Sequence, residues 1–434
     1  MRLTFKQIKD EIGKIVPKSI NYDVDLEAGD IAIFTSEIRQ FLGQDGLASK
    51  ISKKVKRRIK MRPLPEMVMG KDETIEIIHE LVPESAKISE LFFDPCYWNV
   101  IIQCENPSEA VGRRGAITNE IRTKTGWEVK VERTPPIESK TVRDIRGYRE
   151  MHAEERRKLL KNFGLNIHRP KRPGAPWARI TALGSYQEVG RACHLVTTNE
   201  SKIMIDVGVN IASDSDPMPY FNAPEALPLD QLDAVIITHA HLDHAGMLPV
   251  LFKYGYKGPV YCTPPTRDLM LLLQTDYLKI GGSEGRPAPY DMEDIRTCMR
   301  HVVDVEWNQT TDVAPDMKMT FSNSGHIIGS SAVHLNIADG KHNLVFSGDQ
   351  KYEKSWMFDA ANTRFPRCET LVLEATYGAA GDFQPSREEA NQELHDIVSR
   401  TLERNGKIIC PVFAVGRSQE VMIDIDDLFR SGAV

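Results

Sequence analysis

Short apolar runs separated by turn residues dominate the second half of the chain, whereas the first third has an amphipathic, helix-rich texture. After Trp177 these runs are rich in β-branched residues and are bounded by Gly, Pro, Asp and Asn, which is typical of strands. Segments with helix-type spacing of apolar residues lie between them. The pattern predicts an α/β domain with two sheets or one large one. The predicted strands cover residues 179–183, 193–197, 202–205, 234–238 and 260–262.

A weak internal repeat occupies the first third of the chain. The sequence Ile-Val-Pro-Lys-Ser is echoed by Leu-Val-Pro-Glu-Ser, and Gly43-Gln-Asp-Gly46 is echoed by Gly112-Arg-Arg-Gly115. In each copy a helix pattern leads to β-prone residues, then to the Gly-x-x-Gly turn, then to another helix pattern. Two copies of one small α+β module explain this order. The β-prone runs are residues 31–35 and 100–104, and the modules are placed at residues 1–68 and 69–140.

Proline-rich ends enclose a charged, helix-prone stretch at residues 142–163, which is typical of a connector. A further strand, turn and helix pattern begins at Pro411. The sequence therefore predicts an α/β multidomain protein that begins with two α+β modules. The predicted boundaries that follow are 141–176 for the connector, 177–383 for the larger α/β domain and 384–434 for the beginning of another α/β unit.

The composition is that of an ordinary globular protein, with 41% hydrophobic and 27% charged residues in 434. The longest apolar runs are far shorter than the roughly 20 residues needed to cross a bilayer. The N-terminus alternates charged and apolar residues too quickly for a signal peptide, so we expect a cytoplasmic protein without a membrane span. Its seven scattered cysteines contain no Cys-x-x-Cys pair, which favours reduced thiols over disulfides or a thiolate zinc cluster.

Charge is distributed unevenly along the chain. Residues 1–173 contain 33 Lys and Arg against 26 Asp and Glu, a net charge of +7, and the remaining residues contain 22 against 35, a net charge of −13. The densest basic run, residues 50–62, has eight cations and no acid. Such a run is either a solvated helix face or a surface for a polyanion, and composition alone leaves both readings open.

The chemistry is concentrated in a histidine-rich segment that follows a predicted strand. His239 and His241 are two residues apart in extended geometry, so both imidazoles point to one side and can share a metal ion. If a helix starts directly afterwards, Asp243 and His244 can turn toward a second ion about 3.5–4 Å from the first. Any metal centre of this chain is therefore predicted here.

This His-x-His-x-Asp-His run resembles the signature of the metallo-β-lactamase superfamily, and the sequence matches the other motifs in order. The superfamily's third histidine corresponds to His326 in Gly-His, and its bridging carboxylate corresponds to Asp349 in Ser-Gly-Asp. Its orienting acid corresponds to the early aspartate, Asp206. The resemblance implies an αββα sandwich. It also implies two Zn²⁺ ions, the first held by His239, His241 and His326, the second by Asp243 and His244, with Asp349 bridging both and Asp206 outside the ligand set.

A second resemblance narrows the substrate. The strand that ends at Glu374, directly after the Ser-Gly-Asp motif, is similar to the first motif of the β-CASP nucleases, in which this acid helps to protonate the leaving oxygen. The segment around Arg417 resembles part of the β-CASP insert, and Arg417 is a candidate phosphate contact. In such a site Asp243 and Asp349 hold the metals, which make hydroxide available near neutral pH. The implied reaction is cleavage of RNA phosphodiester bonds.

The N-terminal repeat resembles KH modules, whose Gly-x-x-Gly loop clamps a nucleic-acid backbone. Glycines let the backbone approach a phosphate at the start of a helix, where free N–H groups favour an anion. The second copy, with Gly112, Arg113, Arg114 and Gly115, suits phosphate better than the first, which has Gln44 and Asp45 in its loop. We therefore expect RNA contact at the second copy.

KH modules before a metallo-β-lactamase core resemble the archaeal homologues of the cleavage and polyadenylation specificity factor endonuclease. The likeness implies a role in RNA 3′-end formation and transcription termination. It implies an endoribonuclease and allows an additional 5′–3′ exonuclease activity, and the sequence does not decide the balance between the two. It further implies single-stranded, U-rich RNA, contact with RNA polymerase, and a homodimer formed by late C-terminal residues.

The match to the β-CASP pattern stops early, since its two late histidine motifs have no counterpart after Glu374. We therefore expect a chain shortened within the β-CASP domain, weak occupancy of the second zinc site, and low or absent cleavage. Two alternatives stay open, a non-catalytic RNA-binding subunit and a thioesterase-like or lactonase-like hydrolase of small molecules. The other histidines lack ligand spacing and are predicted to be structural or solvated, namely His194, His301, His334, His342 and His395.

Overall fold

A computed structural model describes residues 3–43, 46–213, 215–285 and 287–432. Its first unit has the order α, β, β, α, α, β around a three-stranded sheet in which β1 and β2 are antiparallel and β2 and β3 are parallel. Ile8, Ile12 and Ile33 lie in its buried core. The elements are α1 (Phe5–Ile15), β1 (Tyr22–Glu27), β2 (Asp30–Thr35), α2 (Ile38–Phe41), α3 (Leu47–Val55) and β3 (Ile59–Arg62).

The second unit repeats this order and the same strand pairing, so the internal repeat inferred from sequence is confirmed as a structural one. Ile78, Ile102 and Trp127 lie in its separate core. Gln44 and Asp45, the loop residues assigned to the first copy, lie outside the described residues. The elements are α4 (Lys71–Leu81), β4 (Ile88–Asp94), β5 (Asn99–Cys104), α5 (Pro107–Val111), α6 (Ala116–Thr125) and β6 (Glu128–Arg133).

The helix-prone connector forms two helices, where the sequence suggested one continuous stretch. They are α7 (Lys140–Met151) and α8 (Ala153–Ile167), and they meet at His152, whose φ of −101° and ψ of 21° depart from helical values. The break redirects the chain so that α8 packs on β1. Gly164 of α8 allows this approach, because a Cβ there would lie 2.5 Å from Cβ of Leu26.

Two β-sheets packed face to face form the larger unit. The sequence predicted either two sheets or one large sheet, and the structure has two. The first sheet has the order β12-β11-β10-β9-β8-β7 and the second the order β13-β14-β15-β16-β17. Ile205 and Ile236 of the first sheet share a buried core with Phe321 and Leu335 of the second. The strands of the first sheet are β7 (Ala178–Gly184), β8 (Cys193–Thr198), β9 (Lys202–Ile205), β10 (Ala234–Ile236), β11 (Val260–Cys262) and β12 (Val302–Asp304), and those of the second are β13 (Thr310–Ala314), β14 (Met317–Asn323), β15 (Ser331–Ile337), β16 (His342–Phe346) and β17 (Thr370–Val372).

Helices cover the outer face of the first sheet, where Met204 and Val235 pack against Leu251, Met270 and Ile295. Within the described ranges, no helix combines the length and the apolar composition that a bilayer-spanning segment requires. Leu251, Met270 and Ile295 come from α10 (Leu248–Lys253), α11 (Pro264–Ser283) and α12 (Met292–His301), respectively. The remaining elements are α9 (Leu242–Ala245), α13 (Arg387–Glu403) and α14 (Arg417–Arg430), with 3₁₀ turns at Pro65–Met67, Glu84–Ala86, Arg113–Gly115 and Leu229–Gln231.

Buried ion pairs join the modules and the connector to the sandwich. Arg149 of α7 and Arg267 of α11 each donate to Oδ2 of Asp304 at 2.8 Å, and Arg156 of α8 donates to Oδ1 of Asp94 at 2.9 Å. All three guanidinium groups are largely buried. Such pairs fix the relative placement of the elements that carry them, because a charge left without its partner in the interior is costly.

The basic run at residues 50–62 is therefore not uniformly a solvated face. Arg57 lies 3.4 Å from Asp312 of β13, and Arg62 forms a two-bond pair with Glu27 in which the shorter N–O distance is 2.7 Å. Both arginines are buried. Part of the run thus serves packing between elements, and the lysines of α3 remain as candidates for an anion surface.

Candidate metal centre

The histidine-rich segment lies at the carboxyl end of β10, in the place where open α/β sheets commonly bind ligands. β10 ends two residues earlier than the sequence suggested, at Ile236. Thr238 then turns onto Asp206, which follows the neighbouring parallel strand β9 and accepts hydrogen bonds from the Thr238 backbone N–H at 2.7 Å and hydroxyl at 2.8 Å. Asp206 has a φ of +58° and is 2% exposed, so this turn is fixed from inside.

Three histidines and one aspartate converge on one point. Nδ1 of His241 lies 3.2 Å from Nε2 of His239 and 3.1 Å from Nε2 of His326. Oδ2 of Asp349 lies 3.5 Å from Nε2 of His326 and 3.9 Å from Nε2 of His239. These four side chains form the first group in the described residues that could hold a metal ion.

Asp349 also faces a second group. Its other oxygen, Oδ1, lies 3.1 Å from Nε2 of His244, and that nitrogen lies 3.8 Å from Oδ2 of Asp243. Asp243, His244 and His239 are also close enough to one another to share an ion. The two carboxylate oxygens of Asp349 are therefore turned to different groups, which is the arrangement a bridging ligand needs.

The donor set fits zinc in both chemistry and spacing. Neutral imidazole and carboxylate are preferred zinc ligands, and with metal–ligand bonds of 2.0–2.1 Å the corners of a tetrahedron are about 3.3 Å apart. The distances of the first group, 3.1–3.9 Å, surround this value. A divalent metal ion is thus what these side chains are arranged to hold.

Hydrogen bonds on the outer side of the rings orient the histidines. Nδ1–H of His239 donates to the Thr238 hydroxyl at 3.1 Å, which in turn donates to Asp206, and Nδ1–H of His244 donates to Asp206 at 2.7 Å. In both rings this leaves Nε2 free to bind a metal. Asp206 therefore orients one histidine of each group, and it does not itself belong to either.

Burial and neighbouring charges set the protonation of the centre. Burial lowers the pKa of His239 well below its usual value and that of His326 to about 4, so both rings are neutral ligands at pH 7. Burial also opposes the charged form of His244, but the carboxylates of Asp349 and Asp206 outweigh it and raise the pKa of this ring. A metal that binds His244 must therefore displace a proton.

The same balance works in the opposite direction at Asp349. Burial alone would raise its pKa, but His244, followed by His239 and His326, lowers the pKa well below the usual value. The Asp349 carboxylate is therefore ionised under ordinary conditions.

Glu374 and Arg417 lie outside both groups. Glu374 follows β17, its backbone N–H donates to the Ser347 hydroxyl at 3.0 Å, and its Oε2 accepts from the backbone N–H of Thr376 at 2.9 Å. Arg417 begins α14, is exposed, and is close enough to His326 to contribute to the lowering of its pKa. Both positions are compatible with the parts that the resemblance gave these residues.

The Gly-x-x-Gly loop of the second module has the geometry that glycine permits. Gly112 and Gly115 have φ values of +72° and +77°, and a Cβ on Gly112 would lie 2.8 Å from Ile117. Arg113 and Arg114 are exposed between them, and α6 starts at the next residue. The loop therefore presents two cations at a helix N-terminus, as expected from sequence.

The remaining histidines have ordinary packing contacts. His194 lies between the rings of Tyr186 and Phe346, and burial lowers its pKa to about 4. Nδ1–H of His301 donates to the Gly258 carbonyl at 2.9 Å, since a carbonyl oxygen can only accept. In the described part of the chain neither belongs to a group that could hold a metal, and the same is true of His334, His342 and His395.

Sequence reasoning missed two contributors to the centre. Thr238, which links His239 to Asp206, could have been noticed as the polar residue that ends an apolar strand directly before the first ligand. The Val415 carbonyl, 3.3 Å from Nε2 of His241, carries no sequence signal, because any residue has a carbonyl and the contact spans 174 positions.

Comparison with known proteins agrees with both parts of this architecture. The family model described as "Metallo-beta-lactamase superfamily" matches residues 187–411, and the one described as "Transcription termination factor FttA, KH domain" matches residues 2–68. A solved protein of unknown function from Enterococcus faecalis V583 has 15% identity and a TM-score of 0.35, with 52% of this chain and 58% of that chain covered, which is too little similarity to add an argument.

Curated relatives match over nearly the whole chain. Transcription termination factor FttA of Methanosarcina mazei is 46% identical over 428 residues, covering 98% of this chain and 67% of the relative. FttA of Methanothermobacter thermautotrophicus is 44% identical over 432 residues, covering 99% of this chain and 68% of the relative. The resemblance drawn from the motifs is thus confirmed, and the chain belongs to the metallo-β-lactamase superfamily and, within it, to the family of the archaeal factor FttA.

Proposed function

We propose that the chain is a zinc-dependent RNA phosphodiesterase of the β-CASP branch that acts in transcription termination. The observation that carries the proposal is the position of Asp349, whose two carboxylate oxygens face two different groups of metal-binding side chains, at 3.5 Å from His326 and 3.1 Å from His244. Two metal ions held by these neighbouring groups would suit in-line displacement at phosphorus.

In this proposal His239, His241 and His326 would hold one zinc, Asp243 and His244 would hold the other, and Asp349 would contribute to both. When bound, the metals supply hydroxide near neutral pH and neutralise charge on the attacked phosphate. Asp206 keeps the Thr238 turn and the His244 ring in place through the hydrogen bonds described above. Glu374, held next to the Asp349 loop through Ser347, would help to deliver a proton to the leaving oxygen.

RNA is the proposed substrate because the chain that carries the metal centre also carries a loop whose cations can contact the phosphates of a nucleic acid. Arg113 and Arg114 project from the Gly-x-x-Gly loop at the start of α6, where a phosphate is favoured by free backbone N–H groups. The relatives' name, transcription termination factor, supports an RNA transcript as the target. We include single-stranded, U-rich RNA and contact with RNA polymerase in the proposal on the strength of the family resemblance.

A second candidate, a non-catalytic RNA-binding subunit, has one observation in its favour. Among the described residues, Asp243, His244 and Asp349 are the side chains placed to serve the second ion apart from the shared His239. We therefore expect the first ion to be held more tightly than the second, and cleavage to be slow. A hydrolase of small molecules gains no comparable support, since it leaves the Gly-x-x-Gly loop without a role.

The test combines metal content and RNA cleavage. We expect the purified chain to retain zinc by mass spectrometry and to cut a labelled single-stranded RNA, and we expect Asp349→Ala to lower both, the cleavage rate by about 100-fold or more. Asp230→Ala, an exposed acid of the same unit, is the matched control and should change neither. RNA binding with a cleavage rate that Asp349→Ala leaves unchanged would support the non-catalytic subunit instead.

A further inference from the structure

The turn before α14 touches the metal centre from the far end of the chain. The Val415 carbonyl oxygen lies 3.3 Å from Nε2 of His241, and the Phe413 ring lies 6.3 Å from the His241 ring between centroids. The opposite ring nitrogen, Nδ1, is the one that faces His239 and His326. His241 is thus held between its two ligand neighbours on one side and a backbone carbonyl on the other.

We propose that the Val415 carbonyl is a positioning group for the metal centre, which holds His241 in the tautomer that carries its proton on Nε2. A carbonyl oxygen only accepts hydrogen bonds, so this contact requires N–H at Nε2. In a neutral imidazole the other nitrogen then has a free lone pair, which here is the Nδ1 directed at the shared metal position. In the same way, the Thr238 hydroxyl holds the proton of His239 on Nδ1, and Asp206 holds that of His244 on Nδ1.

Gly416 explains how the turn reaches this position. Its φ is +94°, which L side chains rarely adopt, and a Cβ there would lie 2.7 Å from Cγ2 of Ile327. Ile327 directly follows the ligand His326, so the turn packs against the loop that supplies the third histidine while its carbonyl meets the second. The backbone N–H of Gly416 donates to Oε1 of Gln419 at 2.7 Å, which anchors the turn to α14.

The first experiment measures metal affinity. This inference rests on the proposed metal centre, and loss of an outer hydrogen-bond partner commonly costs 10- to 100-fold in metal affinity. We expect Gly416→Ala to weaken zinc binding by about 10- to 100-fold in a chelator competition. Gly255→Ala is the matched control, because Gly255 has a φ of +96° and open space around its Cβ position, so it introduces the same kind of backbone strain away from the centre. Equal effects of the two substitutions would overturn the inference.

The second experiment observes the tautomer directly in the metal-free wild-type chain. With ¹⁵N-labelled histidine, and His241→Gln to assign the signals, NMR should show His241 protonated at Nε2, and Gly416→Ala should shift it toward a mixture of tautomers. A wild-type ring protonated at Nδ1, or a variant with unchanged tautomer and weakened zinc binding, would refute the positioning role. A wild-type chain that binds no metal would refute the proposed metal centre instead, and the tautomer measurement would still decide this inference.

Discussion

Replacing Asp304 with alanine removes the carboxylate on which two arginines from different parts of the chain depend. Arg149 of the connector and Arg267 of the sandwich both donate to its Oδ2 at 2.8 Å. Their side chains are 5% and 11% exposed, so water cannot readily replace the lost partner. The substitution therefore removes the carboxylate that the two arginines share, and leaves Arg267 with Asp268 at 2.7 Å and Arg149 with Asp94 at 3.9 Å.

The expected loss follows from this burial. Removing one partner of a buried ion pair typically costs about 3–5 kcal/mol. Because the Asp304 side chain itself retains 23% of its exposure, we expect the lower end of that range, about 3 kcal/mol. In a domain of this size each kcal/mol lowers Tm by about 2–4 °C, so Tm should fall by about 6–12 °C.

Thermal unfolding followed by circular dichroism measures this shift, with Asp276→Ala as the control. Asp276 lies on the same helix as Arg267, its side chain is 52% exposed, and it lies 3.7 Å from Lys279, so its removal should leave Tm essentially unchanged. A Tm for Asp304→Ala equal to that of the control would show that the buried pairs do not hold the connector on the sandwich.

The pH dependence gives a second check on the same residue. Burial would raise the pKa of Asp304, but Arg149, Arg267 and Arg156 outweigh burial and lower it. A carboxyl group whose pKa is depressed on folding stabilises the protein fully above its unfolded pKa of about 3.9 and loses this contribution as the pH falls through the folded value. The Tm difference between wild type and Asp304→Ala should therefore be constant from pH 8 to about 5 and shrink only in stronger acid.

Two further predictions concern the RNA loop and the thiols. Exchanging both Arg113 and Arg114 for glutamine should weaken the binding of single-stranded RNA, because two phosphate contacts are removed. In fluorescence anisotropy titrations the slope of log affinity against log salt concentration should become shallower by about 1.4. An unchanged slope would show that the RNA binds elsewhere on the chain. Cys368 and Cys410 are exposed, whereas the other five cysteines are buried, and burial raises the pKa of Cys298. A thiol reagent should therefore modify two residues quickly in the native chain and all seven only after denaturation. Rapid modification of more than two cysteines would contradict the packing of the cores.

Local pattern was sufficient wherever a short stretch of chain decides its own structure. The strands at Lys202–Ile205 and Val260–Cys262 have the predicted bounds, because a short apolar run and its flanking turn residues are properties of the stretch itself. The local pattern did not predict the two-helix structure of the connector. Its composition favours helix throughout, and the break at His152, after which α8 packs on β1, has no signal in that local pattern.

The metal-binding residues were also open to prediction, since a spacing of two on an extended segment already places His239 and His241 on one side. By itself the sequence thus indicated the repeat in the first third and several strands of the first sheet, and the motif resemblance indicated the residues that converge on the centre. Only the tertiary structure decided which of their atoms face one another and what lies behind them, as in the Val415 carbonyl at His241 or the arginines around Asp304. These partners come from segments far apart in the chain, and their meeting depends on how the sheets and helices pack, which no local periodicity records.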